Sequence, residues 1–287
     1  MSKYYNGMFD GVFKNTLCTE DNNILLRWLL ECCLEVKIDT LILKDKELLK
    51  NSTHTKGKVV DLYIETNAEL INVEINNHPH GYNNERNLAY LANLYSRSVD
   101  ISEDYNKVRK CIQLNLTSGK KGIDLRSEYA LLKRNVLEEE VFSENFKIYE
   151  INVDLLKEAY YNNNVEIVNK YKPVIMLTLD REELEEFSVG DERIMEYKKR
   201  VEKLNSDPEF MVFMSREEDQ RKTENTLRNI VNEQSQELKE QTQRIEKQTQ
   251  ELSNIKVDTA RKLKEKNVDI KIISETTGLS IEEIQAL

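Results

Sequence analysis

Two neighbouring segments in the first third of the chain alternate between apolar and polar side chains, and this pattern restricts the fold most. One segment, VVDLYIE, begins at Val59, and the other, LINVEIN, begins at Leu70. A period of two residues is typical of strands with one buried face, and the short polar ETNAE sequence between the segments suits a turn. The sequence therefore predicts a β-hairpin with acidic residues on one face.

The expected register of this hairpin brings two carboxylates together. If the turn is centred between Asn67 and Ala68, Asp61 lies opposite Glu74 on the polar face, with Cβ atoms about 5 Å apart. A register shift of two residues would leave both acids on that face. Two like charges at this distance require a compensating group.

A divalent metal ion is one such group. Hydrolysis of a phosphodiester near neutral pH needs an acidified water and a neutralised transition state, which Mg²⁺ supplies when oxygen ligands hold it. Asp61, Glu74 and the backbone carbonyl of Ile75 would form a minimal site. The alternative is that these acids only solvate the outer face of an amphipathic hairpin, as is common.

Helices and further strands are predicted around the hairpin. Helical spacing of apolar residues covers Met8–Leu17, Asn22–Leu34 and Gly81–Val99, and β-rich runs cover Val108–Thr117 and Phe146–Val153, on either side of an irregular polar stretch. The order α, β, β, α, β, β favours a mixed sheet with helices on its faces, an α/β fold. Asp10 and Lys14, four residues apart, would share one side of the first helix.

Composition indicates a globular body with a polar appendage. Of the 287 residues, 39% are hydrophobic, enough for a sizeable core, while 33% are charged. The net charge of −10 argues against indiscriminate attachment to nucleic acid, which needs clustered basic residues. It does not exclude a nuclease, because metal-binding carboxylates are themselves acidic.

The four cysteines and the N-terminal sequence exclude other classes. Cys18, Cys32, Cys33 and Cys111 lack the spacing of a zinc site, so we expect reduced thiols. The N-terminus has no apolar signal region, and no apolar run approaches about 18 residues. We expect no membrane span and a cytoplasmic location.

A seven-residue repeat, NEQSQEL, KEQTQRI, EKQTQEL, predicts a coiled coil in the last third of the chain. One of the two heptad positions that would face a partner helix is always aliphatic: Val231, Leu238, Ile245 and Leu252. The other is glutamine in three of five places: Leu227, Gln234, Gln241, Gln248 and Ile255. Either the stripe pairs two or more copies of the chain, or the segment is a solvated single helix. We favour self-association into a homo-oligomer, since an isolated helix would expose the aliphatic stripe.

Two short helices are expected at the C-terminus. Thr277 and Gly278 indicate a turn, and Ser280 with Glu283 has the spacing of a capping box. The pair resembles a helix-turn-helix preceded by basic residues, but acidic residues in its second helix would face phosphate. A docking module is therefore an equally good interpretation.

Several segments in this order resemble the PD-(D/E)XK nuclease superfamily, specifically its recombination-promoting nuclease and transposase families. The matching segments are FDGVFKNTL, VVDLYIETNAELINVEIN, NERNLAYLANLYS, FKIYEINV and the C-terminal ARKLKEKNVDIKIISETTGLSIEEIQAL. The resemblance implies a restriction-endonuclease-like core that cleaves DNA with Mg²⁺ or Mn²⁺.

The resemblance also implies roles for individual residues. It makes Asp61 and Glu74 the metal carboxylates and adds Asp10 from the first helix. Arg86 and Tyr90 would line the site, where a guanidinium neutralises phosphate and a phenol orients a carboxylate or water. Each of these two also fits an ordinary role, as a surface charge or a packed aromatic.

One position departs from the family pattern. The last residue of the (D/E)XK motif, usually lysine and in this family often glutamine, is Asn76, whose amide is shorter than that of glutamine and uncharged. Lys14 and Lys58 are candidate contacts to substrate phosphate, although exposed lysines are common. His78 and His80 follow the second strand and could lie near the metal. We prefer the interpretation that they belong to a loop.

We predict four regions: a nuclease-like core at 1–155, a helical extension at 156–222, a coiled coil at 223–257 and a helix-turn-helix-like module at 258–287. The favoured function is a divalent-metal-dependent DNA endonuclease linked to recombination or mobile elements. The alternatives are a catalytically impaired relative that binds nucleic acid, and an oligomeric interaction protein.

Overall fold

The computed structural model describes residues 3–19, 23–44, 62–77, 83–98, 104–119, 122, 124–134 and 139–287. These residues divide into two compact units, Met1–Met214 and Ser215–Leu287. The first unit contains the sheet and the candidate site, and the second contains helices only.

The first unit is built on a mixed six-stranded sheet. Its strands are β1 (Leu41–Lys44), β2 (Leu62–Thr66), β3 (Glu69–Asn76), β4 (Lys110–Thr117), β5 (Arg126–Arg134) and β6 (Glu139–Asn152). The spatial order is β1-β2-β3-β4-β6-β5. The central strands β3, β4 and β6 run parallel, whereas the outer pairings are antiparallel. The predicted α/β fold with a mixed sheet and flanking helices is confirmed.

Helices cover both faces of this sheet. In the first unit they are α1 (Asp10–Leu17), α2 (Ile24–Leu34), α3 (Asn83–Ser96), α4 (Val153–Tyr161), α5 (Val165–Thr178), α6 (Arg181–Phe187) and α7 (Glu192–Ser206), with a short 3-10 helix at Tyr105–Lys107. Local signals fix several of their ends. The side chain of Asn152 caps α4, and Asp180 with Glu183 forms a capping box on α6.

The main core lies on the apolar face of the sheet. Alternation along the strands directs Ile71 and Val73 of β3 and Ile112 and Leu114 of β4 to this face, where all four are buried. Helices α1, α2 and α4 to α7 pack against them through residues such as Leu29. A smaller cluster forms on the other face, where Leu91 and Leu94 of α3 lie over Leu70 and Cys111.

The structure corrects the sequence analysis at two places in the sheet. Strand β1 was not predicted, and the stretch expected to be irregular between β4 and Phe146 contains β5 and the first half of β6. The division expected at residue 155 stays a prediction; helices α4 to α7 pack on the same core as the sheet.

The second unit consists of the residues from Ser215 onward of a long helix, α8 (Pro208–Glu265), and two short helices, α9 (Ile270–Thr277) and α10 (Ile281–Ala286). Ala260, Ile273 and Ile284 form its buried centre. Gly278 takes the left-handed conformation after α9, and Ser280 and Glu283 form a capping box on α10. The predicted pair of short helices joined by a turn is therefore confirmed.

The heptad segment lies wholly within α8, so its helical structure is confirmed, while its pairing stays a prediction. Val231, Leu238, Ile245 and Leu252 are between 59% and 64% exposed. None of the helices in the described part of the chain combines the length and apolar composition that a membrane-spanning helix requires.

Candidate functional site

The face of the sheet opposite the main core carries a buried set of polar side chains. They lie on the three central parallel strands and are at most 5% exposed: Asn72, Glu74 and Asn76 on β3, Gln113, Asn115 and Thr117 on β4, and Glu150 and Asn152 on β6. Strand register aligns them in rows, one of which is Glu74, Asn115 and Glu150. We call this set the polar face. Because buried polar groups are costly, such a concentration points to a functional site.

The predicted register of the hairpin is confirmed where the structure describes it. Leu62 pairs with Val73, and Ile64 pairs with Ile71, as a turn centred between Asn67 and Ala68 requires. Asp61 lies outside the described residues, and so do Lys58, His78 and His80. The expectation that Asp61 faces Glu74 therefore stays a prediction.

Glu74 lies in the middle of the polar face and is 4% exposed. The Asn72 side-chain nitrogen is 3.4 Å from the Glu74 Oε1 atom. The next residue, Ile75, turns its side chain toward the main core, as alternation requires. The role of its carbonyl as a metal ligand stays a prediction.

Asn76, the residue at the motif's lysine position, is held by Arg86 from α3. The Arg86 guanidinium donates a hydrogen bond to Asn76 Oδ1, and its central carbon lies 5.9 Å from the centre of the Tyr90 ring. The structure thus brings three of the predicted residues together. The Asn76 Nδ2 and Arg86 Nε atoms are buried and have no hydrogen-bond partner among the described residues.

The first helix begins beside the end of β3. The side chain of Asn77 donates a hydrogen bond to the backbone carbonyl of Met8, two residues before Asp10. Lys14 Nζ lies 2.5 Å from Asp10 Oδ2, so the predicted acid and base do share one side of α1. The other Asp10 oxygen is buried without a described partner.

Six buried residues of this site were missed from the sequence: Asn72, Gln113, Asn115, Thr117, Glu150 and Asn152. Their signal is the same period-two alternation as in the hairpin. In β4, the polar residues Gln113, Asn115 and Thr117 alternate with Ile112, Leu114 and Leu116. The β-rich pattern of Val108–Thr117 predicts a strand, but by itself it does not place the polar side of that strand beside Glu74.

The chemistry of the site fits a divalent cation held by oxygen ligands. Glu74 offers a buried carboxylate, and the unpartnered Asp10 oxygen is a second acceptor. No cluster of three or more histidine, cysteine or acidic side chains suited to a metal exists within the described ranges. The predicted magnesium site includes Asp61, which lies outside those ranges.

Comparison with known proteins supports the resemblance. The model of the PD-(D/E)XK nuclease family transposases matches residues 7–234. That range includes the sheet and helices α1 to α7 and ends before the C-terminal helical pair. No curated protein and no solved structure matches the chain.

Proposed function

Because the chain belongs to the PD-(D/E)XK nuclease family of transposases, we propose that it is a divalent-metal-dependent DNA endonuclease acting in recombination or the movement of mobile elements. The observation that carries the proposal is the buried Glu74 on β3, two residues before an Asn76 that Arg86 orients. Family membership supports a nuclease-like function related to mobile elements. The dependence on a metal ion and the cleavage of DNA are what we propose in addition.

In this proposal Asp61, Glu74, the Ile75 carbonyl and Asp10 hold Mg²⁺ or Mn²⁺. The bound cation would acidify a water molecule and offset the charge that develops on the phosphate. The burial of Glu74 serves this role, because a carboxylate in a low-dielectric site interacts more strongly with a cation.

Asn76 and Arg86 together would supply what lysine supplies elsewhere in the family. A guanidinium can only donate hydrogen bonds, so the atom of Asn76 that faces Arg86 is Oδ1. The Asn76 Nδ2 group is thereby left to donate elsewhere, and Arg86 adds the positive charge that asparagine lacks. Both unpartnered nitrogens would contact phosphate oxygens, with Lys14, Lys58 and Tyr90 as further substrate contacts.

A homo-oligomer is part of the proposal, since cleavage of both strands of a duplex suits two active sites. The aliphatic stripe on α8 would form the contact as a coiled coil. Leu238→Lys with Ile245→Lys should lower the molar mass measured by light scattering. Gln243→Lys, on the opposite side of the heptad, is the matched control and should leave it unchanged.

The occurrence of asparagine at the motif's last position favours a second candidate, a catalytically impaired relative that binds DNA. Asparagine has no charge and less reach than the usual residues. In that case DNA is retained without cleavage, and Asn76→Lys or Asn76→Gln increases activity.

Nicking of supercoiled plasmid tests the proposal. We expect cleavage with Mg²⁺ or Mn²⁺ that EDTA stops and that both Asp61→Ala and Glu74→Ala abolish. Glu69→Gln is the control, because Glu69 is buried at the other end of β3 and bonded to Thr66.

Cleavage that survives both alanine changes would indicate another site or a contaminant. Retention of DNA without cleavage would favour the impaired relative, and absence of both DNA binding and a metal-induced thermal shift would favour an interaction protein.

A further inference from the structure

Three amide side chains form a hydrogen-bonded chain across the polar face. Asn72 Nδ2 lies 2.7 Å from Gln113 Oε1, and Gln113 Nε2 lies 2.9 Å from Asn115 Oδ1. All three residues are at most 1% exposed. The chain begins beside Glu74 and crosses from β3 to β4.

The carboxylate of Glu74 fixes the direction of this chain. Glu74 Oε1 accepts from the Asn72 side-chain nitrogen, and this contact orients the Asn72 amide. That nitrogen also donates to Gln113, whose own nitrogen then donates to Asn115. The last amide nitrogen, on Asn115, has no partner among the described residues.

This last donor lies between two buried acids in the strand register. Glu74 is the neighbour of Asn115 on β3, and Glu150 is its neighbour on β6. Glu150 accepts hydrogen bonds from Thr117 at 3.1 Å and from Tyr129 at 3.3 Å. The chain therefore contacts Glu74 along β3 through Asn72, and across the sheet it ends at Asn115, beside Glu74 in the strand register.

Stability alone does not account for the chain. A buried polar atom without a partner costs about 1–3 kcal/mol, and the chain leaves both Asn72 Oδ1 and Asn115 Nδ2 in that state. Apolar residues at these positions would avoid that cost, as they do on the opposite face of the same strands. A linked row of amides, by contrast, restricts the orientation of the acid at its end.

We propose that Gln113, anchored on Asn115, is a positioning residue, which through Asn72 holds the Glu74 carboxylate in the orientation that binds the divalent cation. The inference rests on the proposed function. Gln113 itself lies one strand away from Glu74 and acts through Asn72 rather than on the substrate.

Gln113→Met tests the inference, since methionine keeps the length of glutamine but removes both hydrogen bonds. We expect the dissociation constant for Mn²⁺, measured by the paramagnetic resonance of free Mn²⁺, to rise roughly 10- to 100-fold. Excess Mn²⁺ should restore plasmid cleavage, because the variant loses metal affinity rather than a reacting group. Ile112→Val is the matched control: Ile112 is buried on the opposite, apolar face of β4, next to Gln113, and the change should keep the wild-type constant within twofold.

The outcomes separate the inference from the proposed function. If wild-type protein binds Mn²⁺ and Gln113→Met binds it equally well, the inference fails and the proposed function stands. If Ile112→Val weakens Mn²⁺ binding as much as Gln113→Met does, general loosening of the sheet is the cause and the inference also fails. If wild-type protein shows no Mn²⁺ affinity, both fail. Gln113→Leu provides the same measurement should the methionine variant not fold.

Discussion

The two faces of strands β3, β4 and β6 are equally buried but chemically opposite. On one face, Ile71, Val73, Ile112 and Leu114 pack against helices as an ordinary core. On the other, Glu74 and the amide chain occupy equivalent positions in the same strands, on the side where α3 packs. Burial of apolar side chains would stabilise the fold more than burial of polar ones on either face of the sheet. A functional role therefore explains the polar face better than a contribution to stability does.

This difference leads to an expectation about substitutions. On the apolar face, changes should lower the free energy of unfolding, because they leave cavities in packed surroundings. On the polar face, changes should mainly reduce activity or metal affinity. The predictions below test that separation, beginning with the largest expected effect.

Glu74→Gln should reduce plasmid cleavage roughly a thousandfold, about 4 kcal/mol of transition-state stabilisation, because the variant loses a metal carboxylate. Its free energy of unfolding should change by less than about 1 kcal/mol, since glutamine keeps the shape and removes a buried charge. Urea denaturation without metal, beside the cleavage assay, gives both values. A large loss of stability would mean that Glu74 is structural, and the separation between the faces would not hold.

Leu114→Ala should lower the free energy of unfolding by about 3 kcal/mol, because Leu114 is fully buried in the main core. Thermal or urea denaturation measures this change. Exposed Leu88 on α3 is the control, for which alanine should cost no more than about 0.5 kcal/mol. Equal effects at the two leucines would contradict the packing described for the apolar face.

Arg86→Met should reduce cleavage roughly a hundredfold, about 2.7 kcal/mol, if Arg86 and Asn76 jointly replace the motif lysine. In a protein that already carries Asn76→Lys, the same change should cost less than about tenfold, because the new lysine supplies the charge. This double-mutant cycle isolates the coupling between the two positions. Identical losses in both backgrounds would show that Arg86 acts independently of Asn76.

Glu65 provides the smallest expected effect, at the partly exposed margin of the sheet. Hydrogen bonds from Lys44 and from Arg109 lower the pKa of its carboxyl. A lowered pKa in the folded state stabilises the protein above the ordinary carboxyl pKa, and this contribution disappears as the pH falls through the lowered value. Glu65→Gln should therefore cost about 0.5–1 kcal/mol near neutral pH. Urea denaturation at several pH values gives the difference in unfolding free energy between the variant and the wild type, which should shrink below about pH 4. A difference that stays constant with pH would show that the ion pairs of Glu65 are not its cause.

The sequence alone was sufficient for those features that depend on local periodicity and turn chemistry. The alternation of VVDLYIE and LINVEIN predicted the hairpin and its register, which Leu62–Val73 and Ile64–Ile71 pairing confirms. The capping box at Ser280 and Glu283 was predicted in the same way. Such signals survive folding because they depend on residues only a few positions apart.

Only the tertiary structure decided what each alternating strand faces. The two-residue period predicts that Gln113 and Asn115 share one side of β4. It does not predict that α3 packs on that side or that Glu74 and Glu150 lie on the two neighbouring strands. Nor does it predict the hydrogen bond from Arg86 to Asn76. Likewise, β5 was missed because an edge strand with one solvated side has a weak apolar signal. The sequence determined which residues lie on the same face of a strand, whereas contacts between distant segments determined which face became a core and which became a polar site.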